Sequence, residues 1–317
     1  MVTGLGSELG SLVAAILEDE SWVSEIEGLD TTPPRRRLKR SLFHLVEPFQ
    51  HARTSELIAH FNPHVIIHLG IWEPHARLNT DDARLHTDEL AHAVFDAAHS
   101  IPALESLVVR SGVEVYGKYG HWPCLPDENS ALDPQSTFGQ MLLAIEQQAT
   151  ELAVARGTAI ATLRFGSVIG PHVPSPLGRL LRLPVVPYNP FGNPKFSVIE
   201  DNDAATAIVA AARHQPHGIA NIIADGAISI TAAASKGRRL ALPIIGPAWG
   251  ATCAISRLAG APVPDHVSEL LQHGRGAFSS SSEAMLGFTP GISTANAISR
   301  LYAWPSIMRV PAYRDVA

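Results

Sequence analysis

Cysteine is almost absent. The 317 residues contain two, Cys124 and Cys253, too few for a disulfide framework or a cysteine metal site. Long apolar runs are missing as well. The most apolar stretch, residues 240–255, is shorter than a membrane span and carries Pro243 and Pro247. It reads as a buried or interface segment, with contact at a membrane surface as the lesser alternative. Excess positive charge is lacking: the formal net charge is −6, so no basic field favours nucleic acid. The glycine-rich loop stands at the very start, so no secretory leader is expected, and the scarcity of cysteine fits a reducing, cytoplasmic location. Among 15 histidines there is no His-Glu-x-x-His arrangement. The histidines are expected to be structural or solvent-facing, and no metal site is expected. Internal repeats and low-complexity tracts are also lacking.

What is present is a globular composition, 46% hydrophobic and 17% charged, that begins with a glycine-rich loop. Val2-Thr3-Gly4-Leu5-Gly6-Ser7-Glu8-Leu9-Gly10 leads into an amphipathic run with Leu9, Leu12, Val13, Ile16 and Leu17 on one helical face. A glycine turn at a helix N-terminus offers free N–H groups and the positive dipole end to a phosphate. Asp30 follows a strand-like segment 20 residues beyond Gly10, where a dinucleotide fold places a carboxylate on the ribose hydroxyls. The strict Gly-x-Gly-x-x-Gly spacing would need glycine at position 9, which is Leu9. Only Met1 and Val2 precede the turn, so the first strand is either short or begins upstream of this start. Arg35, Arg36 and Arg37 read first as a solvated charged loop. In the other reading one of them reaches a 2′-phosphate and admits NADP, whereas Asp30 favours NAD.

Further along, apolar strand-like runs at 42–46, 65–70, 107–111 and 160–165 alternate with helical patterns at 54–61, 81–99 and 136–156. Ser136 is placed to cap the last helix at its start, and Gly157 to end it. This alternation predicts an α/β fold, a Rossmann-type doubly wound parallel sheet with helices on both faces. From Gly170 the prolines cluster and a loop-rich, substrate-side segment is expected. Strand character returns at 196–199 and helix at 202–214. The tail from Thr231 shows helical pieces and no clear sheet. The expected division is a dinucleotide domain over 1–170 with a return segment near 196–230, and a smaller, discontinuous C-terminal domain from 171–195 and 231–317.

Several segments together resemble the NAD-dependent epimerase/dehydratase family, the extended short-chain dehydrogenase/reductases. The loop Thr3-Gly4 to Gly10 is similar to its threonine-glycine loop. Ser111-Gly112-Val113-Glu114-Val115-Tyr116-Gly117 resembles its strand ending in Val-Tyr-Gly. Leu163-Arg164 through Val168-Ile169-Gly170-Pro171, the segment from Val198 to Ala205, and Leu286-Gly287-Phe288-Thr289-Pro290 match later family motifs in order. The resemblance implies a bound NAD, with NADP as the other possibility, held by Gly4, Gly6, Ser7, Leu9, Gly10, Asp30, Leu69 and Gly70. It also implies a second small molecule, often a nucleotide sugar, and pairing of two copies through helices that include the one starting near Ser136.

Family chemistry uses a Tyr-x-x-x-Lys pair on that helix and a Ser or Thr after the preceding strand. A lysine four residues after a tyrosine shares its helix face and lowers the phenol's pKa for proton exchange. Here the two positions hold Phe138 and Leu142. No tyrosine in the chain has lysine four residues on, and the only lysines are Lys39, Lys118, Lys195 and Lys236. The Ser/Thr position falls on Gly112, with Ser111 one residue earlier and facing the other side of the strand. Ser111 and Tyr116 are the remaining catalytic candidates. Glu114, Lys118 and Tyr119 beside them read first as surface polar groups and a packing tyrosine. The expected function is an NAD(P)-binding family member that is catalytically degenerate, acting as a sensor, a scaffold or a repurposed site. The alternative is an oxidoreductase or epimerase on a nucleotide sugar or an apolar small molecule, with a non-standard proton donor.

Overall fold

The computed structural model describes the chain apart from residues 76–77, 119–124, 171–172, 192–193, 247, 251–255, 257–262 and 304–317. Its first half alternates strand and helix: β1 (Val2–Thr3), α1 (Glu8–Asp19), β2 (Glu27–Asp30), β3 (Leu42–Leu45), α2 (His51–Phe61), β4 (Val65–His68), α3 (Thr80–Ala98), β5 (Ser106–Gly112), a 3₁₀ turn (Val113–Tyr116), α4 (Thr137–Arg156) and β6 (Ala159–Phe165). Then come β7 (Ser167–Ile169), α5 (Pro176–Leu181), β8 (Val185–Tyr188), β9 (Lys195–Phe196), β10 (Val198–Glu200), α6 (Asp201–His214) and β11 (Gly218–Ile222). The chain continues with β12 (Ile228–Ser229), α7 (Ile230–Lys236), β13 (Leu240–Pro243), α8 (Asp265–His273), α9 (Ser282–Leu286) and α10 (Thr294–Ala303).

Seven strands form one sheet in the order β11-β6-β5-β4-β1-β2-β3, and all its pairings are parallel. Strands covered on both faces must be apolar along their whole length, and Leu107, Val108 and Val109 of β5 are fully buried. The strand order reverses between β1 and β4, which opens a crevice above the carboxyl ends of the central strands. β1 is only two residues long, yet it pairs on both sides, Val2 opposite Gly28 and Ile67. The ends of α4 follow local rules: Ser136 accepts the Gly139 N–H at 3.2 Å, and Gly157 turns out of the helix at φ +67°.

One hydrophobic core lies under α2, α3 and α4, and another under α1 and α6. A third gathers Leu177, Leu181, Phe196, Ile230, Leu270 and Ile298 from the later segments, where the smaller domain was expected. Two features of that domain depart from expectation. The proline-rich segment contains α5 and β8, and β13 of the tail pairs with β8 in parallel. Proline is tolerated at the first turn of a helix and on edge strands, so its density alone does not forbid either element.

Candidate functional site

The crevice holds an open cleft of about 530 Å³, lined on one side by Gly4, Ser7, Leu9, Asp30, Leu69 and Gly70. Gly4 turns at φ +73°, and a Cβ there would lie 2.7 Å from the backbone of Leu69 and Gly70. Gly10 lets α1 sit directly under the loop, since a Cβ would meet the Gly4 carbonyl at 2.1 Å. Gly6 packs against the Thr32 carbonyl in the same way. Gly6 and Gly10 therefore shape the loop, while the other six sequence-predicted residues face the cleft.

Ser7 is the N-cap of α1. Its hydroxyl donates to the Gly4 carbonyl at 2.8 Å and accepts the Gly10 N–H at 3.0 Å. The next two N–H groups, of Glu8 and Leu9, have no acceptor among the described residues; these are the donors a helix start leaves open for an anion. Asp30 closes the far side, accepting N–H groups from Ser7 at 3.1 Å and Thr31 at 2.6 Å. Burial pushes its pKa up, and those N–H groups oppose the shift. Of the three successive arginines, Arg35 lines the cleft, on a loop whose Lys39, Arg40 and Ser41 N–H groups all donate to Glu18.

At its other end the cleft meets a small inner cavity of about 50 Å³, between β5, α4 and the smaller domain. Glu73, Arg110, Val168, Val173 and Ser175 line both. Phe138, Leu142, Phe165, Leu177 and Leu270 form an apolar wall. Opposite stands a cluster of charges. His266 Nε2 lies 3.0 Å from Glu73 Oε1, and its Nδ1 is 3.6 Å from Asp265 Oδ1. Arg275 bridges Glu114 at 3.1 Å and Glu269 at 3.2 Å. Burial alone would lower the His266 pKa, but the carboxylates of Asp265, Glu73 and Glu114 outweigh it and hold the ring up at about 9. Arg110 is half-buried and makes no hydrogen bond or ion pair among the described residues, though the Glu73 and Glu114 carboxylates act on its charge.

The profile of the NAD dependent epimerase/dehydratase family matches residues 1–223. The chain belongs to that family. An uncharacterised protein of Mycobacterium tuberculosis is 26% identical over 94% of this chain and 81% of its own length. The fold is shared with a UDP-glucose 4-epimerase of Thermotoga maritima solved with UDP-glucose (TM-score 0.74, 15% identity, 96% of this chain and 97% of that one). A UDP-glucose 4-epimerase of Brucella ovis in complex with NAD is similar to the same degree (TM-score 0.74, 19% identity, 95% and 96% covered). So is a tyrosine-to-phenylalanine mutant of Bacillus cereus UDP-glucuronic acid 4-epimerase holding NAD and a fluorinated UDP-sugar (TM-score 0.74, 18% identity, 96% and 97%).

The three residues that the sequence reading sets at the family's Ser/Thr, Tyr and Lys positions, Gly112, Phe138 and Leu142, all line the inner cavity. At Gly112 a Cβ would lie 2.3 Å from Glu114 Oε2, so the Glu114 carboxylate occupies the space a serine would use. Phe138 packs against the His266 ring, with centroids 4.6 Å apart. Leu142 is buried beside Gly112. The two other candidates lie in a different network. Ser111 donates to Glu146, which also receives Arg164 at 2.9 and 2.7 Å. Tyr116 donates to Asn221 and accepts from Arg164, each at 2.9 Å. Tyr116 lines neither cavity, and burial raises its pKa, the reverse of what a phenolic base needs. Tyr119 lies outside the described residues.

Glu73, Arg110, His266, Asp265, Glu269 and Arg275 were not evident from sequence, and the surface reading of Glu114 is corrected by its 5% exposure. The expectation that histidines are structural or solvent-facing misses His266, which is buried against a cavity. No local motif marks these residues. The one available signal is Gly112 at the Ser/Thr position with a glutamate two residues on. Among the described residues there is no cluster of metal-ligating side chains, and no helix is long and apolar enough to cross a membrane.

Proposed function

We propose that this chain binds NAD in the outer cleft and has abandoned the Tyr–Lys proton chemistry of its family, its inner site being repurposed. The observation that carries the reading is the contrast across Glu73. On one side lie the glycine loop, the open Glu8 and Leu9 N–H groups and Asp30; on the other, Phe138 and Leu142 stand where a phenol and an ammonium would be. The donors suit a pyrophosphate, and the Asp30 carboxylate suits the adenosine ribose. Gly70, Glu73 and Arg110 line the remainder of the cleft and would hold the nicotinamide half, whose chemistry when bound would be hydride transfer. Arg35 in the cleft leaves NADP as a second ligand to test. A solved neighbour holding NAD and a UDP-sugar with phenylalanine in place of one tyrosine supports the view that binding in this fold does not need every phenol.

The experiment is a pair of measurements on one preparation. Calorimetry with NAD should show saturable binding. Incubation with NAD and UDP-glucose or UDP-galactose should give no 4-epimerisation and no change in NADH absorbance. Epimerisation of either sugar nucleotide would sink the reading of the inner site, and absence of binding would sink that of the cleft. Association of two copies through α4 is part of the proposal and is checked by sedimentation equilibrium. The alternative, an oxidoreductase with a non-standard proton donor, is favoured by one observation: an ionisable pair stands where the two cavities join.

A further inference from the structure

The pair is Glu73 and His266. Glu73 follows β4 on a loop held by the Trp72 N–H to Thr87 Oγ1 bond of 2.9 Å, and its carboxylate lines both cavities with about a quarter of the side chain accessible. His266 comes from the smaller domain, is 3% exposed, and contacts Glu73 Oε1 through Nε2. The stack on Phe138 fixes its ring. A carboxylate that faces a ligand space, backed by a buried imidazole, has the anatomy of a proton-transfer group. Glu114, Asp265 and Glu269 face the pair as further anions, and Arg110 and Arg275 as cations.

We propose that Glu73 is the proton-transfer residue of this site and His266 its positioning and proton-storing partner. The substrate class is a small carbonyl compound, or the secondary alcohol formed from it. The proposal rests on dinucleotide binding in the outer cleft. The wall of Phe138, Leu142, Phe165 and Leu270 takes the apolar part of such a molecule, and the unpaired Arg110 guanidinium takes an electronegative substituent.

In the reducing direction the hydride added to the carbonyl carbon would come from NADH held in the outer cleft. As the carbonyl electron pair moves onto oxygen, that oxygen takes a proton through Glu73, and His266 Nε2 returns one to Glu73. The balance is alcohol, NAD and a neutral His266, which solvent reprotonates. With its ring held protonated up to about pH 9, the site stores one transferable proton at neutral pH, and its resting state suits reduction. A pair this closely coupled titrates as a unit.

The test uses the full chain with NADH and three probes: pyruvate, diacetyl and benzaldehyde. NADH binding is followed by calorimetry and its consumption by absorbance across the alkaline range. The expected result is consumption with at least one probe. Glu73→Gln should lower kcat by roughly 100-fold or more with NADH affinity unchanged, and His266→Asn should displace the alkaline fall of the pH profile. NMR of the histidine rings gives a reading independent of turnover. The His266 ring should stay protonated to about pH 9 in the wild type and titrate at least about one unit lower in Glu73→Gln. NADH binding without consumption of any probe overturns the proposal, as does activity that survives Glu73→Gln. Absence of NADH binding removes the dinucleotide reading instead, and this proposal with it.

Discussion

The outer cleft and the inner cavity meet at Glu73 and Arg110, but they are built from different kinds of chain segment. The cleft is local. Gly4, Ser7, Leu9 and Asp30 come from one strand–helix–strand unit, and its bonds are mostly backbone N–H groups or a helix cap. Such a site survives side-chain drift, because its donors belong to the backbone. The inner cavity is assembled from β5, α4, the loop after β4 and the smaller domain. Its contacts are side chain to side chain, so single substitutions change its chemistry while the fold persists. A family member can therefore keep its cofactor cradle and lose or replace its acid.

The largest expected effect concerns how the domains are joined. Arg275→Met leaves Glu114 and Glu269 buried without their ion-pair partner, and breaking a buried pair from one side costs about 3–5 kcal/mol. Urea unfolding should show that loss, with NAD affinity in the surviving folded protein unchanged. A loss of NAD affinity at full stability would mean that the two cavities act as one site.

The two regions should also fail at opposite ends of the pH scale. The folded His266 pKa is raised from 6.5 to about 9, so its stabilising contribution is whole below 6.5 and disappears as pH rises through 9. Glu18 anchors the arginine loop beside the cleft. Burial would raise its pKa, but the Lys39, Arg40 and Ser41 N–H groups and the Ser41 hydroxyl hold it at about 2, below 4.5. Its contribution is whole above 4.5 and is lost as pH falls through 2. Stability measured against pH should lose its alkaline slope in His266→Gln and its acid slope in Glu18→Gln. Slopes unchanged in these variants would refute the assignment.

Rebuilding the family pair sharpens the comparison further. Phe138→Tyr with Leu142→Lys should destabilise the protein, since a lysine at a site 1% exposed must shed its hydration. It should not produce sugar-nucleotide epimerisation, because the His266 ring and the Glu114 carboxylate hold the neighbouring space. Appearance of that activity would show a pocket still shaped for the old reaction. The smallest effect is expected at Arg35. Arg35→Ala should weaken NADP by up to about tenfold, a surface charge contact of order 1 kcal/mol, and leave NAD affinity as it was; equal losses for both would remove Arg35 from the 2′-phosphate role.

The parallel sheet and the glycine loop were legible in the sequence because their signals are local, whereas the order of the strands carries no local signal and came from the structure. Periodicity marks β5 and α4, Ser136 and Gly157 mark the helix ends, and Gly4 to Asp30 spans a single unit. The reading of Phe138 and Leu142 at the family's Tyr and Lys positions rests on the same kind of signal, a fixed spacing on one helix. The charged side chains around the inner cavity were not legible. Glu73 and His266 are 193 residues apart, and Arg275 lies 161 residues from Glu114. Their meeting depends on how the smaller domain docks, which no periodicity records. The Glu146 and Arg164 side chains that engage Ser111 and Tyr116 were not legible either, because they come from the middle of α4 and from β6.

The central claim is that the cradle is retained independently of the old chemistry, and an NAD titration of the purified chain beside Asp30→Ala tests it most directly. The account predicts saturable one-to-one binding in the wild type. Asp30→Ala should weaken it by about tenfold or more, since a hydrogen bond to a charged group contributes roughly 1.5–3 kcal/mol, with unfolding by urea confirming that the variant is folded. No heat from the wild type, or equal affinity in Asp30→Ala, would contradict it.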